Sequence, residues 1–216
     1  MKKYKKNFEL LKKNNVYSEE MEHDACGVGL ISSTEGKKSR KVVEYGIEAL
    51  KAVWHRGAVD ADGKTGDGAG IHVEIPKDFF IEKIEVNGHT YDSSEICVGM
   101  IFLPRNDYAA QESCKTIVES ELTKNDFSIY GWRQVPVDPK VLGEKAFQTM
   151  PEIIQVLFKS NNPELLNKEL ERKIYETRRK IENKAFQISL NNFYICSISS
   201  KSIIYKGMFL AEAISD

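Results

Sequence analysis

The sequence predicts a mixed α/β (α+β) domain in which strands and helices alternate, and three observations carry that expectation. Short apolar runs such as residues 96–103 and 150–158 have the length and bounding turn signals of buried strands. Between them lie stretches whose apolar residues fall at helical spacing, residues 41–54 above all. The 216 residues suffice for one sizeable core, or at most two small ones.

The elements follow in order. After a charged stretch, residues 27–32 form a short apolar run that predicts a central strand, with Ser33, Thr34, Glu35 and Gly36 as its exit turn. Residues 41–54 put Val42, Val43, Ile47, Leu50 and Val53 on one face of a helix and Lys41, Glu44, Glu48 and Lys51 on the other. That helix delivers His55-Arg56-Gly57. Residues 69–75 read as a second strand closed by Pro76, which starts a short helix or turn through Phe80. Residues 96–103 make a third strand, 106–122 a helix, 129–137 an extended segment and 150–158 another apolar strand. Asn162 as cap and Pro163 at the first position predict a long charged helix to about Ala185, with Leu166, Leu170, Ile174 and Ile181 on its buried side. Two strands, 193–199 and 202–207, follow across the tight Ser200-Lys201 connection.

Composition removes several classes of function. Thirty-one basic and 32 acidic residues leave the chain near neutrality, so nothing draws it to nucleic acid or anionic lipid. Small-molecule or protein partners are expected instead. Cys26, Cys97, Cys114 and Cys196 are scattered and form no C-x-x-C pair, so neither a zinc site nor an iron–sulfur motif is legible, and reduced thiols in the cytoplasm are expected. The basic start, Met1-Lys2-Lys3-Tyr4-Lys5-Lys6, leads into polar residues rather than an apolar h-region, which argues against a secretory signal. No apolar stretch approaches the ~20 residues that cross a bilayer.

Three short motifs carry chemistry. The first is His23-Asp24-Ala25-Cys26-Gly27-Val28-Gly29. Cutting the bond before Cys26 would give one residue both a thiol and a free amine, with reference pKa values of about 8.5 and about 8. Such a residue holds its own nucleophile and base. The alternative is a buried cysteine opening a core strand. The second motif is Trp54-His55-Arg56-Gly57, in which Arg56 is either a solvated charge at a helix end or a guanidinium that grips a carboxylate bidentately, and Gly57 lets the backbone turn or approach a ligand. The third is Thr65-Gly66-Asp67-Gly68-Ala69-Gly70. Its glycine spacing is not that of a dinucleotide fingerprint, and Ala58 stands where a phosphate loop needs glycine. Asp60-Ala61-Asp62-Gly63 hints at calcium, but Lys64 occupies a ligand position of such a loop. A glycine-rich connection into a strand is the structural alternative. A Cys26–His55 dyad is a competing mechanism, and His72, inside a strand, is expected to pack.

Taken together and in this order, the motifs closely resemble the start of the class II glutamine amidotransferase domain of glutamate synthases, large (α) subunit type. Gly131-Trp132-Arg133-Gln134-Val135-Pro136-Val137-Asp138 and the segment from Ser199 to Met208 are similar to later parts of that domain. The resemblance implies an N-terminal nucleophile hydrolase fold, an αββα sandwich, here incomplete at the C-terminal side. It implies a leader or propeptide over residues 1–25 and an amidotransferase portion over 26–216, with Cys26 as catalytic nucleophile. Arg56 would hold the α-carboxylate of glutamine, and Gly57, Asp67 and Gly68 would line the same substrate site. The reaction implied is glutamine plus water to glutamate plus ammonia. The ammonia would pass to a downstream synthase portion whose FMN and iron–sulfur cluster this chain does not bind, for glutamate synthesis from 2-oxoglutarate. The family's oxyanion hole comes from a later His-Asn-Gly-Glu segment, preceded by Arg-Phe-Ser-Thr-Asn, and neither occurs in these 216 residues. Two expectations therefore stand side by side: half of a split or longer enzyme, or a truncated, inactive half-domain that binds a partner chain.

Overall fold

A computed structural model describes residues 2–14, 27–53, 57–92 and 95–215. Helix α1 (Lys2–Lys13) precedes α2 (Arg40–Ala52), which Ser39 caps by accepting from the Lys41 N–H at 3.2 Å. The chain then runs β1 (Ala69–Glu74), α3 (Lys77–Val86), β2 (Cys97–Leu103), α4 (Tyr108–Lys124) and β3 (Phe127–Gln134). A 3-10 turn (Pro139–Val141) leads to the short α5 (Glu144–Gln148), followed by β4 (Glu152–Ser160), α6 (Asn167–Gln187), β5 (Tyr194–Ser199), β6 (Ser202–Gly207) and a last 3-10 turn (Ala211–Ser215).

The strands form two sheets. One is four-stranded and antiparallel, in the order β3-β4-β2-β5; the other pairs β1 with β6, also antiparallel. Strand β2, Cys-Val-Gly-Met-Ile-Phe-Leu, is buried along almost its whole length because both of its faces meet packed layers. Its Cys97, Ile101 and Leu103 face α4 and α6, where Val118, Leu122, Leu170, Ile174 and Ile181 close the first core. Its Val98 and Met100 face the other way, into a second core with Phe80 and Ile84 of α3, Leu157 of β4 and Ile203 of β6. The layers thus run α4 and α6, four-stranded sheet, two-stranded sheet, with α2 against β1. This is the mixed, layered α/β architecture that the sequence predicts.

Several boundaries differ from expectation. Residues 27–32 form no strand, and Val28 and Leu30 are 92% and 89% exposed. An apolar run becomes a strand only where a partner supplies a hydrogen-bond ladder, and β1 takes its partner from β6. Asn162 does not cap the long helix. Its side chain accepts from the Glu164 N–H at 3.0 Å in a local turn that competes with helix initiation, so α6 begins only at Asn167 and Leu166 is half exposed. The helix after Pro76 runs on to Val86, longer than a turn. Ser200-Lys201 is a tight connection, but β5 and β6 lie in different sheets. The Glu171 carboxylate accepts from the Ser199 and Ser200 hydroxyls and the Ser200 N–H, at 2.7 to 2.9 Å, and so holds the corner where the chain changes sheet. No helix among the described residues is long and apolar enough to cross a membrane.

Candidate functional site

The loop of residues 57–68 is built on local polar chemistry. Asp62 folds it: one carboxylate oxygen accepts from the N–H groups of Lys64 (2.9 Å) and Thr65 (2.7 Å), the other from the Thr65 hydroxyl (2.6 Å). The Thr65 hydroxyl and these N–H groups hold the Asp62 carboxyl well below the usual carboxylate range. Asp60 is also held low, by the Lys145 ammonium 2.7 Å away, and Lys145 is correspondingly raised. The segment that hints at calcium in the sequence is therefore a self-satisfied turn, and no metal-ligating cluster occurs among the described residues.

A bridge between Val59 and Gly66 and a bond from the Asp67 N–H to the Ala58 carbonyl (3.3 Å) close the loop into a small hairpin. It hands the chain to β1 through Gly68, whose φ of +126° is open to glycine and strained for other residues. Asp67 and Gly68 are exposed and lie at the rim of a cleft of about 1470 Å³, with Gly57 at the base of the same hairpin.

The cleft runs between the two sheets. Phe102 of β2, Tyr194 of β5 and Lys206 of β6 line it; the Lys206 ammonium donates to the Tyr194 hydroxyl at 2.7 Å and lies 4.4 Å from the ring centroid. Ala146, Gln148 and Met150 line it as well, and β1 contributes residues from Ala69 to His72. His72 is exposed on this wall rather than packed, because alternate residues of β1 turn outward. The sequence marks Lys206 only as part of a similar segment and Tyr194 not at all. Their side chains meet because β5 and β6 are brought face to face, a relation that no local pattern encodes. The volume exceeds the roughly 300–1,000 Å³ of an ordinary small-molecule pocket, so a free amino acid would fill one end of it.

Of the site residues expected from sequence, Gly57, Asp67 and Gly68 share this hairpin and its rim. Cys26, Trp54, His55 and Arg56 lie outside the described residues, and with them the Cys26–His55 dyad. The other cysteines bear on the choice of nucleophile. Cys97, Cys114 and Cys196 are free and buried, and burial pushes each thiol up, Cys114 to about 11. Such thiols are poor nucleophiles near neutral pH. Iodoacetamide treatment of the native chain is accordingly expected to modify Cys26 and to leave these three intact until denaturant is added. Peptide mapping by mass spectrometry checks this, and native labelling of Cys97 or Cys114 would contradict the packing.

Comparison with known proteins places these features in context. Residues 26–216 match the family described as glutamine amidotransferases class-II. The chain is 54% identical over 201 residues to the glutamate synthase [NADPH] large chain of Azospirillum brasilense, covering 93% of this chain and 13% of that protein. It is 38% identical over 212 residues to the ferredoxin-dependent glutamate synthase of Pyropia yezoensis, covering 95% and 13%. Ferredoxin-dependent glutamate synthase 2, chloroplastic, of Arabidopsis thaliana is 36% identical over 211 residues, covering 96% and 13%. The chain thus spans about 13% of the length of these curated relatives.

Proposed function

Since this chain belongs to the class-II glutamine amidotransferases, we propose that residues 26–216 supply the nucleophile-bearing part of a glutaminase that serves glutamate synthesis. The observation that carries the proposal is the ordered set of Cys26-Gly27, His55-Arg56-Gly57 and Gly66-Asp67-Gly68-Ala69-Gly70 within one matched span. The hairpin and cleft add support, since they set Asp67 and Gly68 at the mouth of a space that takes a small substrate.

In this reading the leader of residues 1–25 is removed, and the α-amine of Cys26 accepts the thiol proton as sulfur attacks the amide carbon of glutamine. The tetrahedral intermediate collapses by breaking the C–N bond; the amine returns its proton to the departing nitrogen, and ammonia leaves. Water then cleaves the thioester, releasing glutamate and regenerating the thiol. Arg56 pairs with the substrate α-carboxylate. Gly57 and Gly68 keep backbone close to the ligand, with Asp67 as a polar contact.

The downstream partner is a proposal of the same reading. Apolar side chains such as Phe102, Val135 and Ile153 line the open cleft, a surface suited to cover by further polypeptide. In the glutamate synthases that this chain resembles, the ammonia would be used with 2-oxoglutarate on an FMN and iron–sulfur domain. The described cysteines do not fit such a cluster: Cys97 and Cys114 sit in one apolar core and Cys196 in the other. A cytoplasmic location accords with the free thiols.

The alternative reading is an inactive half-domain that binds a partner chain; the His-Asn-Gly-Glu segment does not occur among these 216 residues, and their Asn87-Gly88 stands in a different context, before His89. Processing separates the two. Intact-mass analysis of the cellular protein is expected to show a chain beginning at Cys26; a population that retains Met1 throughout would sink the terminal-amine mechanism and favour the half-domain.

A further inference from the structure

The polar cluster that ties residues 60–65 to residues 143–146 is not used by the mechanism above. Its centre is Thr65, 2% exposed, whose hydroxyl donates to Asp62 at 2.6 Å and accepts from the Ala146 N–H at 3.4 Å. The fit is close. A Cβ on Gly143 would collide with the Asp62 carboxylate, the Thr65 hydroxyl and the Thr65 nitrogen, so only glycine lets the two segments approach this far. The Lys145–Asp60 ion pair makes a second, exposed tie between the same segments.

Both sides of this cluster lead into the cleft. From Thr65 the chain passes through one residue, the buried Gly66 paired to Val59, to Asp67 and Gly68 at its rim. From Ala146 it continues to Gln148 and Met150, which line the same cleft. We infer that Thr65 is a positioning residue for the substrate site: its clamped hydroxyl sets the spacing between the Asp67–Gly68 rim and the wall that begins at Ala146. The inference rests on the glutamine-binding reading above. Thr65→Val keeps the shape but removes the hydroxyl from one Asp62 oxygen and from the Ala146 N–H, leaving Asp62 its two backbone N–H donors, whereas Thr65→Ser keeps the hydroxyl.

The test uses the full chain, matured at Cys26, with its downstream portion where the coding sequence supplies one. Two readouts are taken on the parent, Thr65→Val and Thr65→Ser. The first is amide hydrogen exchange across residues 144–148. The second is the rate of Cys26 labelling by 6-diazo-5-oxo-L-norleucine, a glutamine-shaped electrophile, set against iodoacetamide, which needs no substrate site. Thr65→Val is expected to speed exchange in 144–148 and to slow diazoketone labelling about 10- to 100-fold, with iodoacetamide labelling unchanged and Thr65→Ser close to the parent. Unchanged exchange, unchanged diazoketone labelling, or equal slowing with both reagents in Thr65→Val overturns the inference alone. A parent that takes iodoacetamide but not the diazoketone overturns the glutamine reading, and the inference with it.

Discussion

Residues 26–216 alone are expected to release ammonia from glutamine at least about 10²-fold more slowly than the same residues supplied with a downstream segment that carries the Asn-Gly pair. The tetrahedral intermediate concentrates negative charge on the former amide oxygen, and loss of one preorganised donor costs ~10²- to 10³-fold in rate. The family's pair provides a side-chain and a backbone donor, and the His-Asn-Gly-Glu segment that carries it does not occur among these residues. Architecture points the same way. Among the described residues the sheet of β1 and β6 has two strands, fewer than are stable by themselves, and the cleft beside it exposes apolar surface. Added strands would cover both, so improved solubility should accompany the gain in activity. The assay is ammonia release by purified 26–216 with and without the separately produced segment. Robust turnover by 26–216 alone would place an oxyanion donor within these residues.

Replacing Arg56 by Ala in the complete, active protein is expected to raise the KM for glutamine by about 30-fold or more. Truncating one partner of a buried charge pair costs roughly 2 to 5 kcal/mol, and each ~1.4 kcal/mol is a factor of ten. The guanidinium would act on the α-carboxylate, remote from the scissile amide, so the thiol should remain open to a small neutral electrophile. Steady-state kinetics and alkylation of Cys26 measured on one preparation separate the two effects. An unchanged KM would return Arg56 to the alternative expected from the sequence, a solvated charge.

Much of this molecule was legible in one dimension. The core positions of α6, the buried run of β2 and the limits of β5 and β6 follow from the spacing of apolar residues, because helix and strand periodicities are local properties of the chain. The family was legible too, since three motifs in fixed order are far more specific than any one of them. Cys26 and Arg56 are known at that level only, as members of motifs. Pairing and packing were not legible. Residues 27–32 carry the composition of a strand without a ladder partner, and the Asn162-Pro163 start signal was taken over by a local turn.

Composition and motif order, by themselves, determined the class of this protein, its layered α/β character and its candidate nucleophile and carboxylate-binding arginine. Only the tertiary structure decided that β5 and β6 part into different sheets, that His72 and Lys206 face a cleft, and that the Thr65 hydroxyl, held locally by Asp62, also meets Ala146. The physical reason is range. Periodicity and capping act within a few residues, whereas the Thr65 hydroxyl meets the Ala146 N–H across 81 positions of sequence, a contact that exists only once the sheets have packed.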